Sequence, residues 1–173
     1  PKESRGEGIF PDIREAVATL AGFTARQPGT AVILDEDHGA FIYDAAEMLC
    51  AKFERVVLLT PRDRIASDAA IVVRQGAYDR LYKLGVEIVP SVRPLAKSRF
   101  EEGEVTYANV HSGQQGFICD VALFTFATSR RPDDGIADEL RAAGLAVTIV
   151  GDAYAPRTKL MATAEGYRAG MEI

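Results

Sequence analysis

The chain has 173 residues, of which 47% are hydrophobic and 26% charged, and its formal net charge is −5. This length provides one ordinary domain with a core of its own, and the composition is that of a soluble globular protein. The acidic balance with interspersed charges excludes a general nucleic-acid binder and gives no attraction to an anionic membrane, and no apolar run approaches the roughly 20 residues that span a bilayer.

The chain start and the cysteines favour a cytoplasmic protein. Residues 1–6 have no apolar signal segment behind them, and the missing initial Met is typical of a cut or processed end. Cys50 and Cys119 sit among apolar neighbours, so we expect buried thiols in a reducing compartment. Two cysteines cannot hold an iron–sulfur cluster, and His38 and His111 are too far apart to suggest a metal site.

The first sixty residues predict one helix and a strand–helix–strand unit. Asp12, with Glu15 three positions later, forms a capping-box pattern that starts a helix. A turn is expected at residues 27–29, and the apolar run of residues 30–34 is typical of a parallel strand covered on both faces. A helix and a second such strand, residues 55–60, complete a βαβ unit. The apolar face of that helix carries Ile42, Ala45, Ala46, Leu49 and Phe53.

The middle of the chain predicts a further helix and then a change to short strands. Residues 68–84 form a helical stretch closed by Gly85, and residues 86–89 form the next strand. Residues 92–118 have no helical period and carry short alternating pieces broken by glycines, which indicates an antiparallel meander. Residues 121–126 return to the buried-strand type. The inner face of the helix is expected to carry Tyr78, Leu81 and Leu84.

The last part of the chain predicts two helices and one more strand. A loop at residues 130–135 leads to a short helix that ends near Gly144. Residues 147–150 form an apolar strand, and the final helix begins at Arg157. Its apolar face carries Leu160, Ala164, Tyr167 and Met171. The whole pattern predicts the α/β class, with a Rossmann-like three-layer parallel sheet and an inserted antiparallel β-meander.

Three stretches, in this order, resemble one family. Residues 31–37, a helix and residues 56–61 form the first stretch. Residues 119–132 are similar to the D-x-V-V-x-A-T-G-R-x-P strand of flavoproteins with two dinucleotide-binding domains. Residues 149–157 followed by 165–169 are similar to the I-G-D-A-x-A-P-R … E-G-x-R-A ending of the trimethylamine dehydrogenase and 2,4-dienoyl-CoA reductase family. These enzymes are old-yellow-enzyme-like NADH:flavin oxidoreductases with FMN and an iron–sulfur cluster.

The resemblance implies a longer protein. Its N-terminal (β/α)₈ barrel would hold FMN and a four-iron–four-sulfur cluster, followed by an FAD- or ADP-binding domain with a smaller NAD(P)H-like domain inserted in it. On that map residues 1–29 are an N-terminal helix and linker, and residues 30–146 are the NAD(P)H-like Rossmann domain. Residues 147–173 resemble the terminal strand and helix of the FAD-type domain. The barrel and the remaining FAD-type domain, parts of the same polypeptide, would be the main partners.

The resemblance also implies a set of cofactor-binding residues and no catalytic residue. Gly151 permits close backbone approach, and Asp152 would accept hydrogen bonds from the hydroxyls of a flavin ribityl chain or a ribose. The helix after it would point its N–H groups at a pyrophosphate. In the alternative interpretation Asp152 only caps that helix. The cofactor-binding set is Gly151, Asp152, Ala153, Pro156, Arg157 and Gly39.

The first strand–helix turn departs from the nucleotide-binding pattern. G-x-G-x-x-G is expected there, but residues 35–40 read Asp-Glu-Asp-His-Gly-Ala, so that only Gly39 remains. Three carboxylates would repel a diphosphate, and we expect no tight binding of NADH or NADPH. The acids are interpreted as solvated loop residues, with a divalent cation as the alternative. Arg62 and Arg64 either hold a 2′-phosphate or belong to a solvated loop.

Two functions remain open for the chain itself. It is either the nucleotide-binding-type domain of a flavin-dependent oxidoreductase that acts on an amine, an enoyl thioester or a related substrate, or a degenerate Rossmann scaffold or dimerisation module without nucleotide. A stand-alone NADP reductase fails on the missing glycines. We expect residues 147–173 either to fold back on the small domain or to pack against a second copy in a homodimer, with no FMN, cluster or nucleotide on the isolated chain.

Overall fold

The structure, a computed structural model, describes residues 2–3 and 10–172. Two compact units divide the chain, a larger one of Glu7–Thr128 and a smaller one made of Pro1–Gly6 and Ser129–Ile173. The described elements, in chain order, are β1 (Lys2–Glu3), α1 (Ile13–Leu20), β2 (Gln27–Asp35), α2 (Ala40–Lys52), β3 (Phe53–Leu59), α3 (Ile71–Lys83), β4 (Glu87–Val89), β5 (Val92–Pro94), β6 (Val105–Asn109), β7 (Gln115–Ile118), β8 (Val121–Ala127), β9 (Arg130–Arg131), α4 (Gly135–Ala142) and α5 (Lys159–Met171).

A four-stranded parallel sheet with the order β4-β3-β2-β8 forms the centre of the larger unit. In it, Ile33 of β2 lies opposite Leu58 of β3 on one side and Thr125 of β8 on the other. The chain therefore runs outward from β2 to β4 and then returns to the far side of β2. Such a reversal leaves a crevice at the carboxyl ends of the strands, where open α/β sheets bind their ligands.

Both faces of this sheet are buried, because successive residues of a strand point to opposite sides. Helices α1, α2 and α3 cover one face, and the antiparallel meander β5-β6-β7 covers the other. The predicted fold class, including the inserted meander, is confirmed. The helix-side core includes Ile13, Ile33, Ile42, Leu49, Leu58 and Leu81. The meander-side core includes Val32, Leu34, Val57, Leu59, Val105, Ile118 and Phe124.

The predicted start of α1 is confirmed in detail. Oδ1 of Asp12 accepts the backbone N–H groups of Arg14 and Glu15 at 2.7 and 2.9 Å. In return, Oε2 of Glu15 accepts the N–H of Asp12 at 3.1 Å. This capping box satisfies donors that the first helical turn leaves without intrahelical partners.

The predicted turn at residues 27–29 is wrong, because these residues begin β2. Gly29 adopts a φ of +90°, and the pairing register with β3 shifts between Gln27 and Thr30, so the strand bends there without ending. Phe53 was placed on the apolar face of α2 and is indeed buried, but it is the first residue of β3.

Two burial predictions in the larger unit are also wrong. Leu84 is half exposed, because α3 has ended there and its buried positions, Ala77 and Leu81, lie earlier in the helix. Cys119 is exposed and Cys50 is half-buried. Cys119 lies in the tight connection between β7 and β8, and its side chain is exposed to solvent although its neighbours in the sequence are apolar.

In the smaller unit, β1 pairs antiparallel with β9, and α4 forms as predicted and is followed by Gly144 with a φ of +79°. The strand predicted at residues 147–150 is wrong: these residues have no regular structure and precede a 3₁₀ turn, Gly151–Ala153. A strand forms only with a partner for its backbone groups, and the described sheet of this unit contains only β1 and β9.

The final helix, α5, also differs from its prediction. It begins at Lys159 and contains no buried residue. The predicted apolar face points to solvent, with Leu160, Tyr167 and Met171 at 77%, 70% and 70% exposure. No helix in the described part of the chain is long and apolar enough to cross a bilayer.

Candidate functional site

Asp35 is the last residue of β2 and lies at the crevice, yet it is completely buried. It continues the alternation of Ala31 and Ile33, which face the helix side of the sheet. Its Oδ1 accepts the backbone N–H of His38 at 2.8 Å, and its Oδ2 accepts the hydroxyl of Tyr43 at 3.0 Å. The interpretation of this acid as a solvated loop residue is therefore wrong.

Tyr43 connects this turn to the next loop of the crevice. It lies in the first turn of α2 with 2% of its surface exposed. Its hydroxyl oxygen accepts the N–H of Ala66 at 2.5 Å while its O–H donates to Asp35. The N–H of Ile65 reaches a second hydroxyl, that of Tyr78, at 3.3 Å. Two loops that follow adjacent strands are thus joined through buried side chains.

His38 is an unusual residue for this position. Its backbone is left-handed, with a φ of 58°, and its imidazole is buried. Nδ1 lies 3.5 Å from Oδ2 of Asp35, and neither ring nitrogen forms a hydrogen bond with the described residues. A left-handed non-glycine residue and a buried polar group without a hydrogen bond each cost on the order of 1–3 kcal/mol, so this turn is held by its surroundings.

Burial has the largest effect on the pKa values of Asp35 and Tyr43. It raises the pKa of Asp35, although the nearby His38 and the hydrogen bonds from the His38 backbone and from Tyr43 oppose the rise. Burial also raises the pKa of Tyr43, and the charge of Asp35 raises it further. The phenol therefore keeps its proton and serves as a donor to the carboxylate.

The first turn differs from the phosphate-binding turn of a dinucleotide fold. In a working dinucleotide fold its backbone N–H groups approach the pyrophosphate. Here the N–H of Glu36 donates to the carbonyl of Ala127 at 2.8 Å, and that of His38 donates to Asp35. Gly39 is the N-cap of α2 with an ordinary φ of −79°, so the conformational freedom of glycine is not used there. Two of the groups that would approach a pyrophosphate therefore already have acceptors within the protein.

The arginines of the second loop are already paired. Arg62 contacts Asp68 at 2.9 Å and Arg64 contacts Asp63 at 3.0 Å, all at partly exposed positions. This geometry favours the solvated-loop interpretation over a 2′-phosphate site. Among the described residues, no group of three His, Cys, Asp or Glu side chains is arranged to hold a metal ion.

The smaller unit brings the two halves of its sequence motif together. The N–H of Gly151 donates to Oε2 of Glu165 at 2.8 Å, and the other carboxylate oxygen pairs with Arg157. Gly151 has a φ of +64°, and a Cβ there would lie 3.3 Å from Cβ of Ala162. A side chain at position 151 would therefore strain the backbone and crowd α5.

The other motif residues lie at or near the surface. Asp152 is exposed, Ala153 and Pro156 are half-buried, and Asp152 does not cap α5. That cap is Thr158, whose hydroxyl accepts the N–H of Met161 at 3.3 Å. The helix-cap alternative for Asp152 is therefore wrong. An open groove of about 250 Å³ lies beside this motif, lined in part by Thr148, Val150, Tyr154, Glu165, Arg168 and Ala169.

No family model matches the chain, but solved structures do. Histamine dehydrogenase from Rhizobium sp. 4-9 is 25% identical, with a TM-score of 0.75, over 95% of this chain and 26% of that one. The 6-hydroxypseudooxynicotine amine oxidase of Pseudomonas geniculata N1 has a TM-score of 0.79 at 17% identity over 99% and 26%. A 2-naphthoyl-CoA reductase has a TM-score of 0.73 at 19% identity over 99% and 26%.

The chain has a Rossmann-like α/β fold that is similar to part of each of these oxidoreductases, and it spans about a quarter of the length of each structure. The resemblance to the C-terminal nucleotide-binding-type region of the trimethylamine dehydrogenase and 2,4-dienoyl-CoA reductase family is confirmed. Tyr43, His38 and Ala66 were not among the predicted site residues. The burial of Asp35 does have a signal in the sequence: it lies two residues after Ile33 in β2, so both side chains face the same side of the sheet.

Proposed function

We propose that the chain is the C-terminal nucleotide-binding-type part of a longer flavin-dependent NADH:flavin oxidoreductase. The match to histamine dehydrogenase over 95% of the chain but only 26% of that enzyme carries this proposal. The redox chemistry would come from FMN and an iron–sulfur cluster held by the rest of the polypeptide. Cys50 lies in α2 and Cys119 in a surface turn, so this chain's cysteines do not fit a cluster.

The Gly151 motif supports a role in holding FAD or ADP in the full-length protein. Glu165 and Arg157 fix the turn, and the carboxylate of Asp152, which is exposed, would accept ribityl or ribose hydroxyls. Gly151, Ala153 and Pro156 shape the backbone around it. The phosphate-binding loop of such a site would be supplied from outside these residues.

The smaller unit exposes apolar side chains that a partner would cover. Ala137 and Gly151 are its only buried residues among those described. Leaving large apolar side chains such as those of α5 in water forgoes about 1.5–3 kcal/mol each. We propose that the remainder of the same polypeptide covers this face in the full-length protein, with a contact between two copies as the alternative for the isolated chain.

Purification of the natural-length polypeptide tests this proposal. The expected product is about four times longer than this chain, from the 26% coverage of its relatives, and has a flavin absorption band. The 173-residue chain, prepared in parallel, should show no flavin band. The proposal would be contradicted by a full-length natural polypeptide that carries no flavin, or by a stoichiometric flavin on the 173-residue chain.

The second candidate, a degenerate Rossmann scaffold, is favoured for the larger unit by the buried Asp35. Because two N–H groups of the first turn already have internal acceptors, we expect no micromolar binding of NADH or NADPH. Calorimetric titration at low salt is the measurement. Micromolar binding that disappears on substitution of residues 35–40, but persists in Arg157→Ala, would place a working site at the first turn.

A further inference from the structure

We infer that the Tyr43 hydroxyl is a latch that makes the two loops at the carboxyl edge of the sheet open and close together. The loops are residues 36–39 after β2 and residues 60–70 after β3. They are linked by a continuous series of buried hydrogen bonds: Ala66 N–H to Tyr43, Tyr43 O–H to Asp35, and His38 N–H to Asp35. Tyr43 takes part in two of these three bonds.

The latch holds backbone conformations that the loops would not adopt alone. His38 and Ala66, one in each loop, are both left-handed non-glycine residues, with φ values of 58° and 48°. Both donate their N–H groups into the same series of bonds. A non-glycine residue persists in this region only where its surroundings fix it. Loss of the Tyr43 hydroxyl would remove the acceptor that fixes Ala66.

The start of the second loop is held to the segment after β4, because the N–H groups of Ser91 and Val92 donate to the carbonyls of Arg62 and Thr60 at 2.8 and 2.9 Å. Beyond Arg62 the loop depends on fewer contacts. Ile65 and Ala66 are its buried apolar side chains, and the helix that follows begins with Ile71 and Val72 exposed to solvent. Segments with few buried contacts open at a lower free energy than the core of a domain. A single buried hydroxyl can therefore decide whether this part of the loop keeps its conformation.

The test compares Tyr43→Phe with Tyr78→Phe in the full 173-residue chain by amide hydrogen exchange. Tyr78 is the matched control, because its hydroxyl accepts the N–H of Ile65 in the same loop but does not bond to Asp35. Tyr43→Phe should accelerate exchange about tenfold or more in both residues 36–39 and 60–70, with β2 and β3 unchanged. Tyr78→Phe should accelerate exchange in residues 60–70 only.

A double-mutant cycle with Asp35→Asn provides the second readout. If Tyr43 acts through Asp35, the effects of the two substitutions on exchange in residues 60–70 are clearly less than additive. Additive effects, or acceleration in only one loop for Tyr43→Phe, would overturn the inference. If Tyr43→Phe does not fold, Asp35→Asn alone must accelerate exchange in both loops, and acceleration confined to residues 36–39 would overturn the inference.

Discussion

Asp35→Ala is expected to lower the free energy of unfolding by about 2–5 kcal/mol. The substitution removes the shared acceptor of two buried donors, the His38 N–H and the Tyr43 O–H. Because the position is completely buried, water cannot replace the lost acceptor without a cost in free energy. Urea denaturation, followed by circular dichroism and tyrosine fluorescence, measures the change; the chain contains six tyrosines and no tryptophan.

Asp35→Asn is the matched control. Its amide oxygen can still accept the N–H of His38, and its shape is nearly that of the acid, so a clearly smaller loss is expected than for Asp35→Ala. If alanine and asparagine both cost less than about 0.5 kcal/mol, which is usual for surface substitutions, Asp35 is not the buried acceptor described here.

The wild type and Asp35→Asn together give the sign of a pH effect. Burial raises the pKa of Asp35 above its ordinary value of 3.8, so the native state binds the additional proton between these two values. The stability that this proton contributes is fully present below about pH 4 and is lost as pH rises through the raised pKa. The stability of the wild type relative to Asp35→Asn should therefore fall with rising pH over this interval. A rise would show that hydrogen bonds and His38 outweigh burial.

The parallel sheet could be predicted from the sequence because its strands are buried on both faces. Residues 30–34, 55–60 and 121–126 are short apolar runs, which the covering helices and meander require. The start of α1 could be predicted because Asp12 and Glu15 act within one helical turn. In the first case the apolar pattern, and in the second the hydrogen-bonding residues themselves, lie within a short segment of chain.

The burial of Asp35 could not be predicted in the same way. Its stability at that position depends on Tyr43, one helical turn into α2, and on Ala66, which belongs to a different loop. Local sequence shows three consecutive acids and is typical of a solvated turn. Residues 147–150 illustrate the converse: their composition is that of a strand, but a strand also needs a neighbouring strand. Composition alone does not show whether such a neighbour exists.

Leu58→Ala and Leu160→Ala should differ strongly, although the chemical change is identical. Leu58 lies in β3 with 0% exposure, in the helix-side core opposite Ile33. Its truncation removes apolar contacts and leaves a cavity, so we expect a loss of about 2–5 kcal/mol. Leu160 lies on the exposed face of α5, and its truncation should change the free energy of unfolding by less than about 0.5 kcal/mol.

The comparison also tests whether a second copy covers α5 in the isolated chain. Both variants are measured by urea denaturation at two protein concentrations at least about tenfold apart, since association makes stability depend on concentration. A small effect of Leu160→Ala at both concentrations means that the α5 face is free in the 173-residue chain and awaits the remainder of the polypeptide. A loss near that of Leu58→Ala that grows with concentration would instead place this face in a homodimer contact, because only burial makes a leucine side chain worth that much.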